Sequence, residues 1–167
     1  MACAWDASLT AQVTAIGELL VARHQTLAVA ESCTGGLLAA ALTAVPGSSR
    51  WFGYGLVTYS ADAKRQLLRL SDDLVSPARI VSESTALAMA AAVRALAGAA
   101  IAVGVTGIAG PEGGRPDLPV GTVCVGWVAG QSRAQTYVFP GNRDDVRLAA
   151  VAAALGGVQE ILAVRAG

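Results

Sequence analysis

Three short apolar runs, residues 26–31, 51–59 and 100–105, alternate with segments of helical period. Runs of this length bounded by turn residues read as buried strands. Strands joined through helices run parallel, because a crossover returns the chain to the same end of the sheet. This alternation, more than any other feature, restricts the chain to a layered α/β domain. Leu9, Val13, Ile16 and Leu20 mark a helix over residues 6–23, and residues 37–45 read as a helix stopped by Pro46-Gly47. Ser60 is placed to cap a helix over 61–70, and Ser82 or Ser84 opens an alanine-rich helix ending near Gly98. Residues 120–129 and 132–139 form two further strands joined by a tight turn. Asn142 then caps a last helix, with Asp144 and Asp145 in its first turn. The fourth strand follows a loop without a helix and should run antiparallel. The expected fold is α/β, a three-layer α/β/α arrangement with a mixed, mostly parallel five-stranded sheet, in one domain over residues 1–167.

Composition narrows the function classes. A length of 167 residues fits one domain. With 54% hydrophobic and 14% charged residues, the chain can build a core and is not disordered. Twelve basic side chains balance twelve acidic ones, so neither nucleic acid nor an anionic membrane is an expected partner. The 35 alanines raise the mean hydropathy, but the longest uncharged runs, 32–49 and 95–111, are interrupted by glycine and proline. No membrane-spanning segment is expected from them. Residues 1–6 carry no basic n-region, so a cytoplasmic location is expected. Cys3, Cys33 and Cys124 are widely spaced and fit reduced thiols better than a disulfide framework.

Absences prune further. No Walker A run, GxSxG elbow or GxGxxG fingerprint occurs. The single histidine, His24, excludes HExxH and Cys/His metal sites, so no metal is expected. His24 itself suits a helix C-terminus better than a catalytic triad.

Eleven of the twelve basic residues are arginine, and the one lysine is Lys64. On a helical projection Lys64 shares a face with Ala61, Leu67 and Leu68, while Asp62, Arg65, Gln66 and Arg69 lie opposite. Two readings stand. The ammonium snorkels to water over the leucines, or it is desolvated and acts as a base near neutrality. Ser32 sits where a strand turns into a helix beside Gly35 and Gly36, at the sheet edge where open α/β folds bind ligands. Ser32 or Thr34 is either a simple helix cap or an exposed reactive hydroxyl. Cys33 is a competing nucleophile or an inert apolar-site thiol. Residues 107–121 hold five glycines and three prolines, a surface turn or a functional loop at the same edge.

Five segments occur in order: Glu31-Ser32-Cys33-Thr34-Gly35-Gly36; Tyr59-Ser60-x-x-x-Lys64-x-x-Leu67-Leu68; Val81-Ser82-Glu83; 105–111 (VTGIAGP); and Gly141-Asn142-Arg143. With them the chain resembles the CinA C-terminal-domain family, the nicotinamide-nucleotide amidohydrolases, over roughly residues 10–165. The resemblance implies hydrolysis of the carboxamide of nicotinamide mononucleotide to nicotinic acid mononucleotide and ammonia, without metal or cofactor. It implies Ser32 as nucleophile and Lys64 as base, flanked by Tyr59 and Thr106. Amides of residues 33–36 would stabilise the oxyanion. Glu31, Cys33, Thr34, Gly35 and Gly36 would line the substrate, and Gly107, Gly110, Gly113, Gly114 and Arg143 would face its phosphate. Glu112 stands where the family has glycine, and a carboxylate there would repel a phosphate; residues 72–80 match the family poorly. Many relatives carry a preceding molybdopterin-binding-like domain, and this chain looks like the stand-alone form. The partner implied is a small nucleotide. A homo-oligomer is also expected, with Trp51, Phe52 and Tyr54 at its interface. The rival reading is a non-catalytic, competence-associated protein that binds a partner or a nucleotide.

Overall fold

The computed structural model describes residues 7–164, so the expectations placed on Cys3 and on residues 1–6 lie outside it. The elements run α1 (Ala7–Ala22), β1 (Leu27–Glu31), α2 (Leu37–Thr43), β2 (Phe52–Val57), α3 (Ala61–Leu68), α4 (Glu83–Ala97), β3 (Ile101–Gly107), β4 (Thr122–Val128), β5 (Ser132–Val138) and α5 (Arg143–Val164). A single 3₁₀ turn at Ser48–Arg50, not expected from the sequence, precedes β2. The sheet order is β2-β1-β3-β4-β5, with β1 parallel to both β2 and β3, and β4 antiparallel to its two neighbours. Four of the five strands therefore point the same way, and β3 lies at the centre between β1 and β4.

Alternation along the strands sorts the side chains into two cores. Leu27, Val29, Ile101, Val103 and Trp127 face α1, α2 and α5. On the opposite face Ala28, Ala30 and Ala102 pack under Leu68, Met89 and Val93 of α3 and α4. That second face is built from small residues, and Gly104 and Gly126 continue it as register partners. A Cβ at Gly104 would stand 2.2 Å from the Ala86 carbonyl oxygen, so the α4 backbone rests directly on the sheet. The alanine-rich sequence of α4 is explained by this close approach.

Two expectations need correction, and one helix stands apart from them. Trp51 is 2% exposed and belongs to the core beside Gly17, not to an interface; Phe52 is half-buried and Tyr54 alone of the three is exposed. β3 extends through Thr106 and Gly107, because both continue the ladder to β4, so the glycine-rich loop begins later than its composition suggests. Finally, α5 is long and apolar enough to cross a membrane by length and composition. Its apolar side, including Val146, Val151, Leu155, Val158 and Leu162, is buried in the first core. The caps fall on named residues: Ser60 accepts from the Ala63 amide, Ser82 from the Thr85 amide, and Asn142 from those of Asp144 and Asp145.

Gly104→Ala should lower stability by about 3 kcal/mol, a fall in Tm of roughly 6–12 °C followed by circular dichroism. Gly53→Ala, whose added methyl meets nothing within 4 Å, should leave Tm within about 2 °C.

Candidate active site

The alternation that sorts β1 continues into the turn after it. Glu31, at the end of β1, pairs in register with Val57 and Val105. The Ser32 amide still donates to the Val105 carbonyl at 2.9 Å. Ser32 therefore meets α3, whereas Cys33 enters the core shared by α1, α2 and α5. Two adjacent candidate nucleophiles in the turn after β1 are thus sent in opposite directions.

Lys64 is fully buried on the inner face of α3, together with Leu68. Leu67, expected on the same face, is 55% exposed, so the buried stripe is narrower than the projection implied. Burial of the whole side chain removes the snorkelling reading. Nζ lies 2.8 Å from Ser32 Oγ and 2.7 Å from the Thr58 carbonyl oxygen. Desolvation lowers the ammonium pKa from its ordinary 10.5 to about 8. A carbonyl can only accept, so Thr58 engages one N–H of Nζ. Once the amine is neutral, its lone pair can receive the Ser32 proton. The neighbouring Cys33 thiol is pushed by burial from 9.0 up to about 12 and stays protonated at neutral pH.

Glu31 departs from its expected place against a ligand. It is fully buried, and both carboxylate oxygens accept backbone N–H groups: Gly36 at 3.0 Å, Leu38 at 3.1 Å and Ala39 at 2.8 Å. Gly36, the residue before α2, has φ +94° and offers no side-chain cap, so the strand supplies the cap instead. This also narrows the expected oxyanion cradle. The Gly36 amide is held by Glu31 and the Gly35 amide by the Ser32 carbonyl at 3.0 Å, leaving those of Cys33 and Thr34.

Thr106, buried on β3 one residue beyond the level of Glu31, donates its hydroxyl to the Ile80 carbonyl at 2.7 Å. Tyr59 stands at the exposed mouth, where its hydroxyl accepts from Arg143 Nη2 at 2.7 Å and so engages Arg143 rather than Lys64 or Ser32. Arg143 also donates through Nη1 to the Gly110 carbonyl at 2.7 Å and so ties the glycine-rich loop to α5. Gly107, Gly110 and Gly114 are small because Thr122 and Val120 press against them, and Gly113 has φ +92°. Glu112 is exposed on the same loop. The poorly matching 72–80 segment forms a wall: besides Ile80, the Pro77 carbonyl accepts from Arg115 at 3.2 Å.

Sequence reasoning missed two groups at this edge. Thr58 acts through its backbone carbonyl, which no residue pattern reveals. Arg147, whose Nη2 reaches the Thr34 carbonyl at 3.1 Å, lies one helical turn after Arg143, and that i, i+4 spacing was a legible signal. The Thr34 hydroxyl is buried without a hydrogen-bond partner among the described residues. Among those residues no three His, Cys, Asp or Glu side chains gather as a metal site would need.

Comparison with known proteins agrees with this fold. The model of the CinA C-terminal domain matches residues 9–162. The chain is 50% identical over 136 residues to a CinA-like protein of Geobacter metallireducens, covering 80% of this chain and 33% of that one. It is 46% identical over 149 residues to a CinA-like protein of Gemmatimonas aurantiaca, covering 87% and 34%. The chain thus spans about a third of the length of the curated relatives it matches. A crystal structure of a competence-damaged protein (CinA) superfamily protein from Klebsiella pneumoniae is 38% identical, with a TM-score of 0.88 over 93% of this chain and 98% of that one. Its counterpart from Enterobacter cloacae is 34% identical, with a TM-score of 0.87 over 92% of each.

A lysine whose pKa falls on folding binds fewer protons in the native state between about pH 8 and 10.5, so stability rises with pH across that window. Urea titrations of wild type and Lys64→Met at pH 7 and pH 10 should show wild type gaining about 2 kcal/mol relative to the variant. A difference independent of pH would mean that the lysine is not desolvated.

Proposed function

This chain belongs to the CinA C-terminal-domain family, and on that footing we propose that it is an amidohydrolase cleaving the carboxamide of nicotinamide mononucleotide to nicotinic acid mononucleotide and ammonia. The observation that carries the reading is the 2.8 Å contact between a buried lysine amine and a serine hydroxyl at the carboxyl ends of the parallel strands. Burial supplies the one property that lets lysine replace histidine as a base, a neutral fraction near physiological pH.

Ser32 Oγ bonds to the carboxamide carbon as its proton passes to Nζ, and the carbonyl electrons move onto the oxygen. Amides of Cys33 and Thr34 are the donors left to meet that charge. Nζ then returns the proton to the amide nitrogen, the C–N bond breaks and ammonia leaves, with an ester on Ser32. Water attacks the ester carbon, gives a proton to Nζ, and the serine oxygen departs with that proton. The carboxylate product is released and both side chains are restored. Thr58 holds Nζ throughout by accepting from it. At the mouth, Arg143 uses Nη1 and Nη2 on Gly110 and Tyr59, and Arg147 stands one turn behind. A guanidinium carries five N–H donors, so both arginines keep donors for the nucleotide phosphate.

Ammonia release from nicotinamide mononucleotide by the purified chain tests the reading. Its absence would favour a non-catalytic, partner-binding protein. Ser32→Ala should reduce turnover about a thousandfold or more, while Cys33→Ala should keep most of it. The reverse result would identify a thiol amidase.

The base has its own test. kcat/KM should rise with pH through an ionisation near 8, because only the neutral amine accepts the proton. Lys64→Arg should lose nearly as much activity as Lys64→Ala, since guanidinium stays protonated. Retention of more than about a tenth of wild-type turnover in Lys64→Arg would limit Lys64 to an electrostatic role.

A further inference from the structure

We propose that Glu31 is the positioning residue of the Ser32–Lys64 pair, gripping the start of α2 with its carboxylate and Thr58 with its carbonyl so that nucleophile and base close on each other. The inference rests on the reading of those two side chains as nucleophile and base.

Four links form a closed ring. The Glu31 carbonyl accepts the Thr58 amide at 2.8 Å, with the Thr58 hydroxyl adding a longer bond at 3.4 Å. The Thr58 carbonyl accepts from Nζ at 2.7 Å, and Nζ meets Ser32 Oγ at 2.8 Å. A peptide bond joins Ser32 to Glu31 and completes the ring. Both ends of the catalytic contact are therefore referred to one residue, the nucleophile covalently and the base through Thr58.

The carboxylate fixes that residue in space. It lies on the far side of β1 from Ser32 and is fully buried, with no ion-pair partner among the described residues. A buried carboxylate is costly unless its oxygens are satisfied, and here three amides at the start of α2 satisfy them. A helix cap alone needs only a serine or aspartate at the cap position, exposed and without this desolvation cost. Using instead the residue before the nucleophile locks α2, β1 and the end of β2 at the point from which Ser32 projects. Misplacing a reacting group by about 1 Å costs on the order of a hundredfold in rate.

The test reads the reactivity of Ser32 without the nucleotide. A fluorophosphonate transfers its phosphonyl group to a serine oxygen, expelling fluoride, with the serine proton taken by the base; intact mass reports the adduct. Against wild type, Glu31→Gln keeps size but turns one acceptor into a donor facing an N–H. It should label at least tenfold more slowly, and in turnover kcat should fall by about tenfold to a hundredfold with KM changed less than about threefold. Glu31→Asp keeps the charge but retracts it by one methylene, and should label at an intermediate rate. Leu162→Ala, a core cavity far along α5, supplies a matched loss of Tm and should label as wild type does. Labelling of Glu31→Gln within twofold of wild type would overturn the proposal, as would equal slowing in Leu162→Ala. If Glu31→Gln does not fold, a wild-type rate in Glu31→Asp overturns it. A wild type that labels at Ser32 yet releases no ammonia overturns the proposed substrate alone, and the labelling ratio still decides the role of Glu31. A wild type that does not label at Ser32 overturns both.

Discussion

The structure turns on the burial of a single amine. An isolated ammonium in an apolar interior is costly, which lowers its pKa, and among the described residues Lys64 has only Ser32 Oγ and the Thr58 carbonyl within hydrogen-bonding distance of its nitrogen. Neither partner carries a charge. The amine therefore stays poised between its two protonation states, whereas a carboxylate in place of Ser32 would hold it protonated. Holding the amine in this state costs stability at neutral pH.

The rest of the domain brings this pair together. Small residues on one face of the sheet let α4 lie against β3 and β4, and α3 packs beside it with Leu68 in the same core. Larger residues on the other face carry α1, α2 and α5. Loops at the carboxyl edge bridge the two layers. Arg143 spans from α5 to Tyr59 and the glycine-rich loop, and Thr106 reaches across to Ile80. Each of these bonds joins segments far apart in the chain, so the edge is held by tertiary contacts more than by any one turn.

The wall and the floor of the site were legible to different degrees. Ser32 and Lys64 stood out as a serine in a strand-to-helix turn and a lone lysine on an apolar stripe, and the structure sets them in contact. Tyr59 and Glu31 were read from their motifs as site residues. One turned out to be committed to an arginine at the mouth and the other to the amides of α2. Adjacency in sequence to Ser32 does not say which side of the sheet a side chain leaves from, and Glu31 leaves from the side opposite Ser32. Trp51 shows the same limit, since an aromatic next to an edge strand can face a neighbour or the core, and Gly17 opposite it decides for the core.

The amino-acid sequence by itself determined the order of the elements, the parallel pairing of the first three strands and the caps at Ser60 and Asn142, and it singled out Ser32 and Lys64. These follow from local propensity and from periods of two and 3.6 residues, which a linear reading can count. Tertiary structure alone decided that Lys64 is sealed from water, that Cys33 is turned away into the core, and that a carbonyl on Thr58 holds the Lys64 amine. Desolvation is a property of everything that surrounds a group, and here that surrounding comes from β1, β2 and α3 at once. No window of sequence contains it, because the residues that exclude the water are neighbours only after the chain has folded.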